Sequence, residues 1–269
     1  MTPKSSETRK SFSFKKIVLL LLTITMLVIV FGKFDYFGKS VNNEIAEAII
    51  LRILGGIFLI IVLIDFGYGG LFKVTNFYSS LLIALPALLI SVNNFPFSAY
   101  FNGRFIDNSS KGQFSLFLME AFSVGFFEEL LFRVVVLIFL NEFLKKSAAK
   151  KYLLVLISAA IFSFLHLLNL ISGADLMATL LQMGYSFLMG ALWAVIYLKT
   201  KNLYLIIFLH SSYNFFGEIL FKLGTVSGIW DLLTLFLTSG LALLTALHTI
   251  WVLKTLTKNE DFFVLNENK

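Results

Sequence analysis

Cysteine is absent from the 269-residue chain, which removes disulfides, thiolate metal sites and a cysteine nucleophile together. Charge is scarce: Asp, Glu, Lys and Arg make up 14% of residues, where a soluble domain carries about 25%. There are three prolines and three histidines. None of the histidines begins a His-Glu-x-x-His zinc motif, because His166, His210 and His248 are followed by Leu-Leu-Asn, Ser-Ser-Tyr and Thr-Ile-Trp. A Gly-x-Ser-x-Gly nucleophile elbow is missing as well. Asp65 and Asp175 sit at the edges of apolar runs, without the paired setting that aspartyl chemistry requires.

What is present is hydrophobic: 58% of residues are apolar, 16% are aromatic, and mean hydropathy is +0.87. Repeated apolar runs of helical length with few prolines predict an all-α, polytopic membrane helix bundle rather than a barrel. The runs fall at about 17–31, 45–64, 77–92, 114–140, 152–170, 177–198, 203–221 and 231–254, which predicts about eight transmembrane helices. The first run follows a basic segment, but Gly32-Lys33-Phe34-Asp35 comes after it instead of a small-residue cleavage site, so an uncleaved first span is expected. With an inner N-terminus, fifteen lysines and arginines fall on the inner side and five on the outer side (Lys33, Lys39, Arg104, Lys111 and Lys222). That asymmetry predicts that both termini are cytoplasmic. The net charge of +6 is explained by lysines flanking the spans, and no nucleic-acid partner is expected. The longest loop, 93–113, is expected on the outer side. No internal repeat or soluble domain is visible.

Two adjacent acids and an arginine interrupt the fourth run, in Phe126-Phe127-Glu128-Glu129-Leu130-Leu131-Phe132-Arg133. Ionisable groups at membrane depth are costly and persist where they are paired or functional. Glu129 and Arg133 share a helix face at i,i+4, whereas Glu128 is turned about 100° away and has no local partner. Two later runs also carry polar pairs at helical spacing, Phe162-x-x-x-His166 and His210-x-x-x-Asn214. At ~1.5 Å per residue, Glu128 lies ~18 Å from Leu140, His166 ~21 Å from Tyr152, and Asn214 and His210 ~17 and ~10 Å from Leu203. These heights allow a carboxylate, two imidazoles and an amide to share one layer. His248 is expected to be structural, Glu120 and Glu218 to lie near the outer rim, and Asn169 and Gln182 to make interhelical hydrogen bonds.

Glu128-Glu129-x-x-x-Arg133, Phe162-x-x-x-His166 and His210-x-x-x-Asn214, in this order and in separate spans, resemble the CPBP family of intramembrane proteases. That family includes the type II CAAX prenyl endopeptidases and the bacteriocin-processing Abi proteins. The resemblance covers roughly 114–221 and divides the chain into a basic tail (1–16), N-terminal spans with the outer loop (17–113), a catalytic core (114–221) and a last span with its tail (222–269). It implies that Glu128 is the general base, that His166 holds the attacking water, and that His210 and Asn214 form the oxyanion hole. Glu129 and Arg133 would then be structural support. No cofactor is implied, but Glu128, His166 and His210 are also a ligand set that catalytic zinc uses, so a zinc alternative stands beside the metal-free one. The expected partners are the lipid bilayer and a peptide or protein substrate in or at the membrane. The expected location is a bacterial plasma membrane. Leader-peptide, pheromone or CAAX-like processing, bacteriocin maturation and self-immunity are the roles implied. The alternatives are a catalytically silent scaffold that regulates a sensor kinase or confers immunity and, less consistent with the absence of repeats, a proton-coupled transporter.

Overall fold

The structure is a computed structural model that describes residues 4–32, 36–38, 40–74, 77–171 and 173–257. Lys33, Lys39, Lys258 and Lys269, which enter the charge asymmetry, lie outside the described residues, as does the tail after Thr257.

The helices are α1 (Lys4–Phe31), α2 (Val41–Leu63), α3 (Phe77–Asn93), α4 (Phe97–Phe101), α5 (Gln113–Glu129), α6 (Leu137–Phe143), α7 (Lys150–Leu165), α8 (Leu168–Ile171), α9 (Leu176–Thr200), α10 (Leu203–Leu223) and α11 (Leu232–Thr255). Among the described residues, five helical segments are long and apolar enough to cross a membrane: Val41–Phe72, Lys150–Ile171, Leu176–Thr200, Leu203–Leu223 and Leu232–Thr255. The shorter Phe77–Asn93 is also apolar. The chain is therefore a mostly helical, multi-pass membrane protein. Many leucines, isoleucines and phenylalanines remain exposed on the bundle surface, as a lipid-facing exterior requires.

Three features add detail to the sequence reading. The segment 1–16, read as a tail, is helical from Lys4, because nothing in Lys4–Lys16 breaks the helix that the apolar run continues. Loop 93–113 is not featureless. It holds α4 and a three-residue strand β1 (Phe105–Asp107), which pairs antiparallel with β2 (Gly224–Val226) after α10. Among the described residues the bundle is thus all-α apart from this small ribbon. Thirdly, the fourth run is not one regular helix: α5 passes into a π-helical turn at Leu130–Val136 before α6 resumes.

At the sheet end of the bundle, Arg104 pairs with Asp231 at 3.0 Å and donates to the Gly228 carbonyl, while the Ser98 hydroxyl donates to the same aspartate. Asp231 also caps α11 through the Thr234 amide. The Ser98 hydroxyl first, and then the Thr234 amide, hold its carboxyl below the usual carboxylate range. The loop before α5 and the loop after α10 are thereby clasped together, so both site helices are fixed at this end.

Candidate active site

The site begins where α5 and α10 touch backbone to backbone. A Cβ added at Gly125 would overlap the Ser211 hydroxyl and lie 2.9 Å from the Ser211 amide and 3.1 Å from the Ile207 carbonyl. Only glycine permits that approach, and it occurs three and four residues before Glu128 and Glu129 and one residue from His210. Gly125→Ala is expected to force the helices apart and cost about 1–3 kcal/mol as overpacking; thermal unfolding in detergent micelles would read the loss.

His210 lies across this contact. Its Nδ1 is 2.8 Å from Glu129 Oε1, and Arg133 Nε donates to Glu129 Oε2 at 2.8 Å. Glu129 and Arg133 are fully buried, and His210 is 3% exposed. Arg133 Nη1 also donates to Ser158 on α7 at 3.1 Å, and its guanidinium lies over the Phe162 ring at 5.4 Å. The expected Glu129–Arg133 pair is therefore present but has a third member. A carboxylate held by a guanidinium only accepts hydrogen bonds, so His210 Nδ1 carries the hydrogen and donates it. Nε2 is left facing Glu128, 3.7 Å from its Oε2. Glu128, unlike its neighbour, keeps some accessibility, with a side chain 16% exposed.

Aromatic rings fix the imidazole planes. Trp193 stacks on His210 with centroids 4.3 Å apart and planes 19° apart. Phe162 meets four rings edge-on: Phe132 at 4.9 Å, His166 at 5.2 Å, His210 at 5.8 Å and Trp193 at 6.2 Å. One phenylalanine thus brings both histidines to a common layer. His166 closes α7 as its C-cap; its Nδ1 donates to the Phe162 carbonyl at 3.0 Å, which leaves Nε2 3.4 Å from the buried Ser186 hydroxyl. Asn214 lies one turn beyond His210 and is half-buried, and its side chain hydrogen-bonds no other described residue. The structure thus joins His210 to both acids and sets His166 against the same ring, while the Asn214 side chain stands on the His210 face without a partner among the described residues.

Several participants are not visible in the motif spacing. Ser158 and Ser186 are buried hydroxyls facing Arg133 and His166, and a serine inside an apolar run is the only sequence signal for either. Trp193 is a mid-span indole whose Nε1 is buried without a partner among the described residues. Three other polar residues of the helices have partners of their own. His248 bonds the Ile83 carbonyl at 3.0 Å and stacks on Trp251, Asn169 donates to Gln182 at 2.8 Å, and Glu120 pairs with Lys222 at 2.9 Å.

Among the described residues, no three His, Cys, Asp or Glu side chains form a group able to hold a metal ion, so Glu128, His166 and His210 do not converge as ligands.

No curated protein and no solved structure matches the chain. Residues 110–216 match the family model described as "Type II CAAX prenyl endopeptidase Rce1-like". That interval contains Glu128, Glu129, Arg133, His166, His210 and Asn214, the residues just described around Phe162 and Trp193. Over residues 110–216 the chain is similar to the type II CAAX prenyl endopeptidases, which agrees with the resemblance of its three motifs to the CPBP family.

Proposed function

We propose that this chain is an intramembrane endopeptidase that activates water with Glu128 to cleave a peptide bond in a membrane-associated peptide or protein. The observation that carries the reading is the division of labour between the adjacent acids: Glu129 is sealed and locked to Arg133 and His210, while Glu128 is partly accessible and faces the free edge of the same imidazole.

In this reading, Glu128 takes a proton from water as the oxygen attacks the scissile carbonyl. His166 orients that water through Nε2, the nitrogen not tied to Phe162. His210, through the Nε2 edge that Glu129 leaves free, and Asn214, through its amide, form the oxyanion hole. Glu128 then returns the proton to the leaving amine as the tetrahedral carbon collapses. Around this chemistry we place α1, α3 and the 113–143 helix as three further spans, which makes eight, with both termini cytoplasmic. The substrate class is a leader peptide, a pheromone precursor or a CAAX-like protein, in bacteriocin maturation or self-immunity at a bacterial plasma membrane.

The test is cleavage of a membrane-peptide mixture by the purified chain in micelles, with new termini identified by mass spectrometry. His210→Ala is expected to reduce the rate by about 10²–10³, the scale of an oxyanion-hole donor. Cleavage is expected to persist in a strong chelator; loss that zinc restores would overturn the metal-free mechanism. If His210→Ala cleaves at the parental rate, the cleavage does not come from this site; if the unaltered chain cleaves nothing, the silent-scaffold reading replaces the catalytic one.

A further inference from the structure

Arg52 lies in α2, outside the interval that matches the family model, and its place against the site is set by helix packing. A Cβ at Gly56 would run into the Phe126 ring, so α2 sits directly on the residues that precede Glu128. Arg52 is one turn away on the same face of α2, at i−4 from that contact. Its Nη1 is buried with no partner, and the side chain makes no hydrogen bond or ion pair with any described residue.

The charges around it are otherwise accounted for. Lys222 pairs with Glu120 at 2.9 Å and reaches Glu218 at 3.9 Å. Arg52, Lys222, Glu120 and Glu128 all lie within electrostatic range of Glu218. Arg52 therefore belongs to the charged group that links the Lys222–Glu120 pair at the rim to Glu128, and it alone of the two cations there has no acid in contact. A guanidinium inside a span is expensive, and a buried donor without an acceptor adds to that cost, so packing does not explain its retention. The planar fork matches a carboxylate, which could offer two acceptors at once. A peptide brought to Glu128 carries such a group at its C-terminus or on an acidic side chain.

We propose that Arg52 is an anion-binding residue that takes a carboxylate of the bound peptide, on the side of Glu128 toward the Lys222–Glu120 pair. The proposal rests on the endopeptidase reading for its choice of ligand. The experiment uses the full chain in dodecylmaltoside micelles and a Leu/Ala/Gly decapeptide with a neutral N-terminal dye. Four forms are compared by fluorescence anisotropy in the cold: free C-terminal acid, C-terminal amide, amide with one internal Glu, and amide with Gln in its place.

The free acid is expected to bind about tenfold more tightly than the amide if the anchor reads the C-terminus, and the Glu form about tenfold more tightly than the Gln form if it reads a side chain. Arg52→Gln should erase that difference without weakening the neutral peptides, and Arg52→Lys should keep part of it. The acid–amide comparison on the unaltered chain needs no variant, so a misfolded Arg52→Gln leaves the test intact. Equal binding of all four forms overturns the proposal. So does uniform weakening by Arg52→Gln, which would assign Arg52 to charge balance, or loss of phosphatidylglycerol binding alone, which would assign it to a lipid phosphate. Cleavage is followed in the same samples after warming. Discrimination without cleavage would count against the endopeptidase reading and leave the anion site standing, whereas cleavage without discrimination sinks the anion site alone.

Discussion

Glu128→Gln is expected to lower peptide cleavage by about 10³-fold while leaving folding close to that of the parent chain, within the range for removal of a positioned base. Glutamine preserves the shape of the side chain and cannot accept a proton from water at neutral pH. Folding is expected to survive because Glu128 is not tied down: its nearest charged neighbour is His210 Nε2 at 3.7 Å, and its side chain is 16% exposed. Glu120→Gln is the matched control. Glu120 is held by Lys222 near the sheet end, so its loss removes a partly exposed ion pair worth about 0–1 kcal/mol and should leave turnover within a few-fold. The measurement is the initial rate of new-terminus formation, with monodispersity on gel filtration as the folding check. If Glu128→Gln retains more than a tenth of parental turnover, Glu128 is not the base.

Much of this site is legible in the linear sequence, for a physical reason. Apolar helices tolerate few polar groups, so Glu128, Glu129, Arg133, His166, His210 and Asn214 stand out against their surroundings, and helical spacing alone joins Glu129 to Arg133. What spacing cannot supply is rotation between helices. His210 meets Glu129 through its Nδ1 because Gly125 lets α10 approach to backbone contact, and nothing in either motif encodes that register. Height along the bundle was no better defined. Per-residue arithmetic leaves Glu128 and His210 free to share a layer, as they do, but helix tilt and span ends shift such heights by a turn or more, so it cannot require it. The π-helical turn after Glu129 also has no signature in Leu-Leu-Phe-Arg-Val-Val-Val. The β1–β2 ribbon rests on only three residues on each side, too few for an alternating pattern to register.

The second large effect separates scaffold from chemistry. Glu129→Gln is expected to cost about 3–5 kcal/mol of stability, the scale for removing one partner of a buried ion pair, and to lower activity as a consequence. Arg133 would remain fully buried with its carboxylate gone, and its Nη2 has no partner among the described residues even in the parent chain. His210 would lose the anion that fixes its donating nitrogen, so its ring could flip and turn the wrong edge toward Glu128. Arg133→Met in the Glu129→Gln background should recover part of the stability, because the uncompensated charge goes with it, while turnover should stay low, because His210 still lacks its carboxylate. Thermal unfolding and cleavage rate, measured on both single variants and the double variant, close this cycle. Stability that returns together with turnover would make the pair a scaffold and nothing more. Stability that returns without turnover identifies Glu129 as the positioning residue of His210, acting from within an ion pair that also holds α5 to α7 through Ser158. The adjacent acids then differ in what their loss does: Glu128 fails in chemistry with the fold intact, and Glu129 fails in both, of which only the fold can be repaired without it.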